Sequence, residues 1–184
     1  MDLKEWYGKG LSKEAYIGTL DKHEEGFHHI SNNFTLPNDV QFFDELKEKN
    51  VRALVLAEPW CGHCMLNIPN LLQIADEAEL PVKFLLRDEN LELMDQYLTN
   101  GKSRTIPIMI FMDEDGNELT KWGPIAPTTK QFVDQYKKNL PEKGTEGYDE
   151  AFKEMIGITS KAFKEDSSLW TGVYQDLKHT LSNI

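Results

Sequence analysis

Arg52-Ala53-Leu54-Val55-Leu56-Ala57 is a short run of almost wholly apolar side chains, the pattern of a strand covered on both faces, and we expect that strand over 51–57. Beyond it the period changes. Met65, Leu66, Ile68, Leu71, Leu72, Ile74 and Ala75 recur at near-helical spacing and predict a helix over 62–77. A second strand is expected over 81–86, then a helix over 90–99 with Leu91, Met94, Tyr97 and Leu98 facing inward. The runs at 108–112 and 118–121 read as a hairpin with Asp115-Gly116 as its turn, followed by a helix over 128–139.

Both ends carry further helical patterning. Trp6, Tyr7, Leu11, Ala15, Tyr16 and Leu20 give a loose amphipathic face, so 1–35 reads as one or two short helices. Asn38-Asp39-Val40-Gln41 offers a helix cap with a Gln three residues on, ahead of Phe42, Phe43 and Leu46. Pro141-Glu142-Lys143-Gly144 is a break. After it, Tyr148, Phe152, Met155, Ile156, Thr159 and Phe163 space as one helix face. Leu169, Trp170, Val173, Tyr174, Leu177 and Leu181 form a second, with Ser167 or Ser168 as cap. We therefore divide the chain into a helical extension (1–35), a central domain (36–140) and a helical hairpin (141–184) that packs on the same domain. The hairpin's rival reading is a docking surface for a partner.

At 184 residues, 40% hydrophobic and 28% charged, the chain has the length and balance of a globular domain. A chain of this size buries roughly 70% of its unfolded surface, enough for a core without disulfide staples. Its 20 Lys+Arg against 31 Asp+Glu leave a net charge of −11. That balance argues against unspecific nucleic-acid binding, and against attraction to an anionic membrane surface. No apolar run approaches the roughly 20 residues of a membrane span. Met1-Asp2-Leu3-Lys4-Glu5-Trp6 lacks the apolar stretch of a secretory signal, and we expect a cytoplasmic protein.

The two cysteines, Cys61 and Cys64, stand as Cys-x-x-Cys at the predicted strand-to-helix junction. A disulfide closing so short a loop would constrain the unfolded chain little, so a structural staple is a poor reading. Half a zinc site or a redox pair remain. Zinc needs about four ligands, which His23, His28 and His29 would have to complete. For a redox pair the position is apt. Unpaired N–H groups and the dipole at a helix start favour a thiolate and lower its pKa. An (i, i+3) pair there lies about 5–6 Å apart, within disulfide reach.

Trp60-Cys61-Gly62-His63-Cys64 resembles the active-site motif of the thioredoxin superfamily, in the Cys-Gly-His-Cys form typical of protein disulfide isomerase domains. Pro69 matches the proline of that family's active-site helix. Thr105-Ile106-Pro107 followed by Ile108–Phe111 matches its cis-proline loop and next strand, and Gly123 matches its glycine after the last strand. The resemblance covers roughly residues 38–140. It implies an α/β thioredoxin fold, a central mixed sheet with helices on both faces, here with helical extensions at both termini.

The resemblance also implies roles. Cys61 attacks a client disulfide and Cys64 resolves the mixed disulfide. His63 is expected to support the Cys61 thiolate by a hydrogen bond or a positive charge. That would raise the potential from about −270 mV, thioredoxin's, toward about −180 mV, the isomerase value. Trp60, Gly62, Thr105, Ile106 and Pro107 are expected to bind substrate, with Pro107 cis and the Ile106 backbone pairing with an extended client. Where the family usually buries an acid ahead of the first cysteine, this chain has Val55; Glu58 is the candidate replacement, against the reading of a solvated residue near the helix cap. No cofactor is implied. The partners implied are a disulfide-containing protein or small-thiol substrate and an unidentified reductant, with the protein a monomer. Two alternatives stay open at this level, a non-catalytic binding module and a metal carrier.

Overall fold

The apolar run at 52–57 becomes the middle of the sheet. The structure, a computed structural model, describes residues 2–184. β1 (Arg52–Ala57) pairs in parallel with β2 (Val82–Leu86) and antiparallel with β3 (Ile108–Met112), which pairs antiparallel with β4 (Glu118–Trp122). The order is β2-β1-β3-β4, a mixed sheet flanked by helices. Ala53 to Ala57 are fully buried because helices cover both of their faces, which is why this strand is apolar without alternation. The free edge of β2 is occupied as well. Leu11 bridges to Phe84 through two backbone hydrogen bonds of 2.7 and 3.0 Å.

The N-terminal stretch holds three helices rather than one or two: α1 (Leu3–Lys9), α2 (Lys13–Ile17) and α3 (Glu24–Asn33). Gly10 is extended and ends α1 so that Leu11 can reach the sheet. α3 lies on α5 (Gly62–Glu77), where any side chain at Gly26 would overlap the Met65 thioether. α4 (Val40–Glu48) buries Phe42, Phe43 and Leu46 as expected. Its cap differs. Asp39 precedes the helix, but its carboxylate bonds the Tyr174 hydroxyl and lies 2.8 Å from Lys178 Nζ, both on α9 (Ser167–Ser182).

The helix expected over 90–99 shrinks to α6 (Leu91–Met94), preceded by a 3-10 turn at Arg87–Glu89. Leu93, Met94 and Tyr97 are buried while Leu91 is exposed, so the inward face is not the one expected. Asp95 is drawn to Arg104 by two bonds of 2.6 and 2.8 Å, and Tyr97 donates to Glu118 at 2.6 Å, so tertiary partners bend the segment. After α7 (Pro127–Lys137), α8 (Tyr148–Glu165) and α9 follow as a helix pair, each packed on α5 and α7 more than along the other. The turn between them is capped by Asp166, which accepts from Ser168 N at 2.9 Å, rather than by either serine. The α9 face reads as predicted: Leu169, Trp170, Val173, Tyr174, Leu177 and Leu181 are all buried. Trp122 Nε1 donates to Asp176 at 2.7 Å and ties α9 to β4. On α8 only part of the expected face is core. Met155, Thr159 and Phe163 are buried, whereas Phe152 and Ile156 are 39% and 43% exposed.

Candidate active site

Chain leaving the covered end of β1 must turn at once, and it does so over Glu58-Pro59-Trp60, where Cys61 N donates to Glu58 O at 3.2 Å. Cys61 is then the N-cap of α5. Its sulfur occupies the place that a serine or aspartate oxygen usually fills, accepting from Cys64 N at 3.4 Å. The Cys61 thiol donates to Ile106 O at 3.7 Å. Both cysteines are free thiols, Cys61 8% and Cys64 1% exposed.

These surroundings split the two sulfurs electrostatically. The Cys61 pKa is lowered, first by the Cys64 thiol that donates to it, then against the opposing effect of burial by the N–H groups of Cys64 and His63 and the charge of Arg87. The Cys64 pKa is raised by burial and by the neighbouring Cys61. One sulfur is prepared to be a thiolate and the other to keep its proton.

His63 departs from expectation. Its ring lies 5.1 Å from that of Phe163, and Nδ1 is buried without a hydrogen-bond partner. Burial, with Lys137 adding to it, holds the imidazole pKa down to about 4. A neutral imidazole carries no positive charge to the thiolate, so what His63 gives Cys61 is its backbone N–H. The argument from a His63 charge to a raised potential goes with it.

The same burial predicts acid sensitivity. Well above pH 6.5 the imidazole is neutral in both folded and unfolded chains; from 6.5 down to about 4 only the unfolded chain takes up a proton. Stability is therefore lost as pH falls through that window, by about 3 kcal/mol in full. Urea denaturation of wild type and His63→Phe at pH 7.5 and pH 4.5 checks this. The wild type loses more than the variant; equal losses would mean that the imidazole is not the group responsible.

Glu58 is not a solvated residue. It is 5% exposed and accepts from Asp88 N at 2.8 Å, and burial is the first cause of its raised pKa. It stands near enough to Cys64 for its charge to raise the thiol pKa further. Trp60 is 47% exposed, with the Arg87 guanidinium 5.0 Å from its ring centre. The Ile106–Pro107 bond is cis, and both residues are buried. Thr105 is half-buried with its hydroxyl bonded to Thr99, and the Ile106 carbonyl accepts from the Cys61 thiol. Gly62 borders open space, where a Cβ would come no closer than 3.9 Å to His23 Nε2 or Ser160 Oγ.

A cavity of about 450 Å³ opens at Cys61 between α7, α8 and the start of α5. Trp60, Phe152, Ile156 and Phe163 give it an apolar lining, and exposed Lys22 and Lys137 lie at its rim. This is where Phe152 and Ile156 of α8 go. His23, read from the sequence only as a zinc candidate, lies against Gly62. Sequence reasoning missed Tyr16, whose hydroxyl is buried without a partner and whose pKa is raised by burial and then by negative charge on Cys64, Cys61 and Glu58. The histidines weighed as zinc ligands diverge: His28 lies 4.0 Å from Glu24, and His29 faces Trp170. Among the described residues, no group of three or more His, Cys, Asp and Glu side chains converges as a metal-binding set.

In solved structures the architecture recurs at low sequence identity. An HIV 4E10 epitope scaffold superposes with a TM-score of 0.70 at 16% identity, covering 100% of this chain and 99% of its own. A protein of unknown function from Pseudomonas aeruginosa gives 0.63 at 18% identity, covering 88% of this chain and 99% of its own. No curated protein matches the chain in sequence. The family model described as thioredoxin matches residues 10–137, a stretch that runs from before Tyr16 through the cysteines and the Pro107 loop to the end of α7. With most of its length inside that match, the chain belongs to the thioredoxin family.

Proposed function

We propose that this protein is a thiol–disulfide oxidoreductase that reduces or reshuffles the disulfides of a protein or small-thiol client through Cys61 and Cys64. The observation that carries the reading is the Cys61 sulfur at the N-cap of α5, hydrogen-bonded by Cys64 N with its pKa lowered. The Cys61 thiolate attacks one client sulfur. The client S–S bond breaks, its electron pair leaves on the other client sulfur, and a Cys61–client disulfide remains. Cys64 then attacks Cys61, the pair closes, and the second client thiolate departs. Two electrons have passed to the client, and an external thiol or dithiol reductant must restore the pair.

The Cys-Gly-His-Cys sequence supports an isomerase-type site, but the neutral His63 takes away one reason to place its potential above thioredoxin's. The apolar cavity beside Cys61 favours a client with an apolar side chain next to its disulfide. We read the protein as a cytoplasmic monomer.

The test is the pH dependence of Cys61 alkylation by iodoacetamide together with reduction of insulin. We expect an apparent thiol pKa below the roughly 8.5 of a free cysteine, and insulin turnover when dithiothreitol is supplied. A midpoint at or above that of a free cysteine, or insulin left intact, overturns the reading.

A further inference from the structure

Resolution of the mixed disulfide requires Cys64 to ionise where water does not reach. Its side chain is 1% exposed, and burial and the adjoining Cys61 both oppose loss of its proton. Polar groups able to stabilise charge on Cys64 therefore bear on the rate of this step, and a buried hydroxyl outside the sheet and α5 is a candidate.

Tyr16, on α2, is 1% exposed, and its ring stacks on Phe84 with centroids 4.4 Å apart and planes 9° from parallel. Phe84 is the register partner of Val55 in β1, so the ring lies on the apolar surface of the strand that leads into the cysteine turn. Its hydroxyl is buried with no hydrogen-bond partner. Such groups are rare and destabilising in folded proteins, and a phenylalanine would stack on Phe84 without that cost. After burial, negative charge on Cys64, Cys61 and Glu58, in that order, raises the phenol pKa. Around Glu58 the 3-10 turn adds Arg87, Asp88 and Glu89, and Arg87 also faces Cys61.

We infer that Tyr16 is the hydrogen-bond donor that stabilises Cys64 as its sulfur ionises in the resolving step, an inference that rests on the redox reading above. The hydroxyl unpaired in the dithiol protein finds its acceptor when negative charge develops on Cys64. The Cys64 proton passes to the Glu58 carboxylate. The freed electron pair forms the bond to the Cys61 sulfur, and the Cys61–client bond breaks with its pair on the departing client sulfur. Tyr16 keeps its own proton throughout, as a donor and not a base.

Tyr16→Phe removes the oxygen and leaves the ring. The probe is 5,5'-dithiobis(2-nitrobenzoate) mixed with the reduced full-length protein. The first thionitrobenzoate released reports attack by Cys61, and the second reports resolution by Cys64. We expect the second phase to slow about tenfold near neutral pH, the scale of one hydrogen bond to a charged atom, and its pH midpoint to move up. The first phase stays unchanged, and the melting temperature is equal or higher.

A second phase within about twofold of wild type across the pH range overturns the inference, since a purely packing role leaves that profile alone. Glu58→Gln is measured beside it. A change confined to Glu58→Gln assigns the step to the carboxylate and also overturns the role of Tyr16. Wild-type protein that releases no second equivalent sinks the redox reading itself, an outcome visible before any variant is compared.

Discussion

Serine in place of Cys61 is expected to bring insulin reduction down to the rate of dithiothreitol alone, whereas serine in place of Cys64 leaves the first attack intact and stalls the protein as a mixed disulfide. The asymmetry follows from where the two sulfurs sit. Cys61 is the helix cap, its thiolate supported by N–H groups at the start of α5 and by Arg87, and it is the more accessible of the pair at 8% against 1%. A serine hydroxyl can still cap α5, so Cys61→Ser folds; what it lacks is a nucleophile that ionises near neutral pH. Cys64 cannot stand in, because burial and the fold hold it protonated and away from a client. Non-reducing electrophoresis and intact mass measure the outcome. Cys64→Ser accumulates a covalent adduct that reductant releases, and Cys61→Ser accumulates none. Insulin turnover by Cys61→Ser above the reagent background would remove Cys61 from the role of attacker.

The core of this arrangement was legible in the chain because it is local. An apolar strand, an abrupt turn and a helix starting at a Cys-x-x-Cys are contiguous in sequence, and their periods state where each begins. The α9 face was legible for the same reason, since one helix surface carries all of its core residues. What sequence could not supply came from pairings between distant elements. Asp39 looked like part of a capping box, yet Tyr174 and Lys178, far along the chain, take its carboxylate. The segment after β2 had helical spacing, but Arg104 and Glu118 pull its polar groups apart.

The site shows the same division. Nothing near His63 in sequence announces that Phe163, a hundred positions away, will lie against it, and burial there disfavours the positive charge that is one of the two roles expected of the imidazole. In the sequence Tyr16 is one position of a loose amphipathic face. The usable signal was indirect: with Val55 where the family buries an acid, the sequence offers Glu58 in its place, and no period says that the Tyr16 hydroxyl is buried without a partner as well. Leu11 explains how it arrives. By bridging to Phe84 on the edge of β2, it fixes the segment that carries Tyr16 against the sheet.

Alanine at Gly123 is expected to destabilise the protein by about 3 kcal/mol or more, through a positive-φ cost of roughly 1–2 and overpacking of roughly 1–3. Gly123 follows β4 with φ at +116°, and a methyl group there would overlap the Pro107 carbonyl oxygen. The overlapped atom is backbone, so no rotamer change relieves it. The loop must shift, and with it the Ile106 carbonyl that accepts from the Cys61 thiol at 3.7 Å. For a chain of this length the loss corresponds to a melting temperature lower by roughly 10 °C. Gly101→Ala is the control. Its φ is +66° but no heavy atom lies within 4 Å of the added carbon, so only the backbone cost of about 1 kcal/mol applies. Disulfide exchange should fall in Gly123→Ala and hold in Gly101→Ala when both are assayed well below their melting temperatures. Equal stability of the two variants would mean that the Pro107 loop yields freely and that Gly123 does not hold it against Cys61.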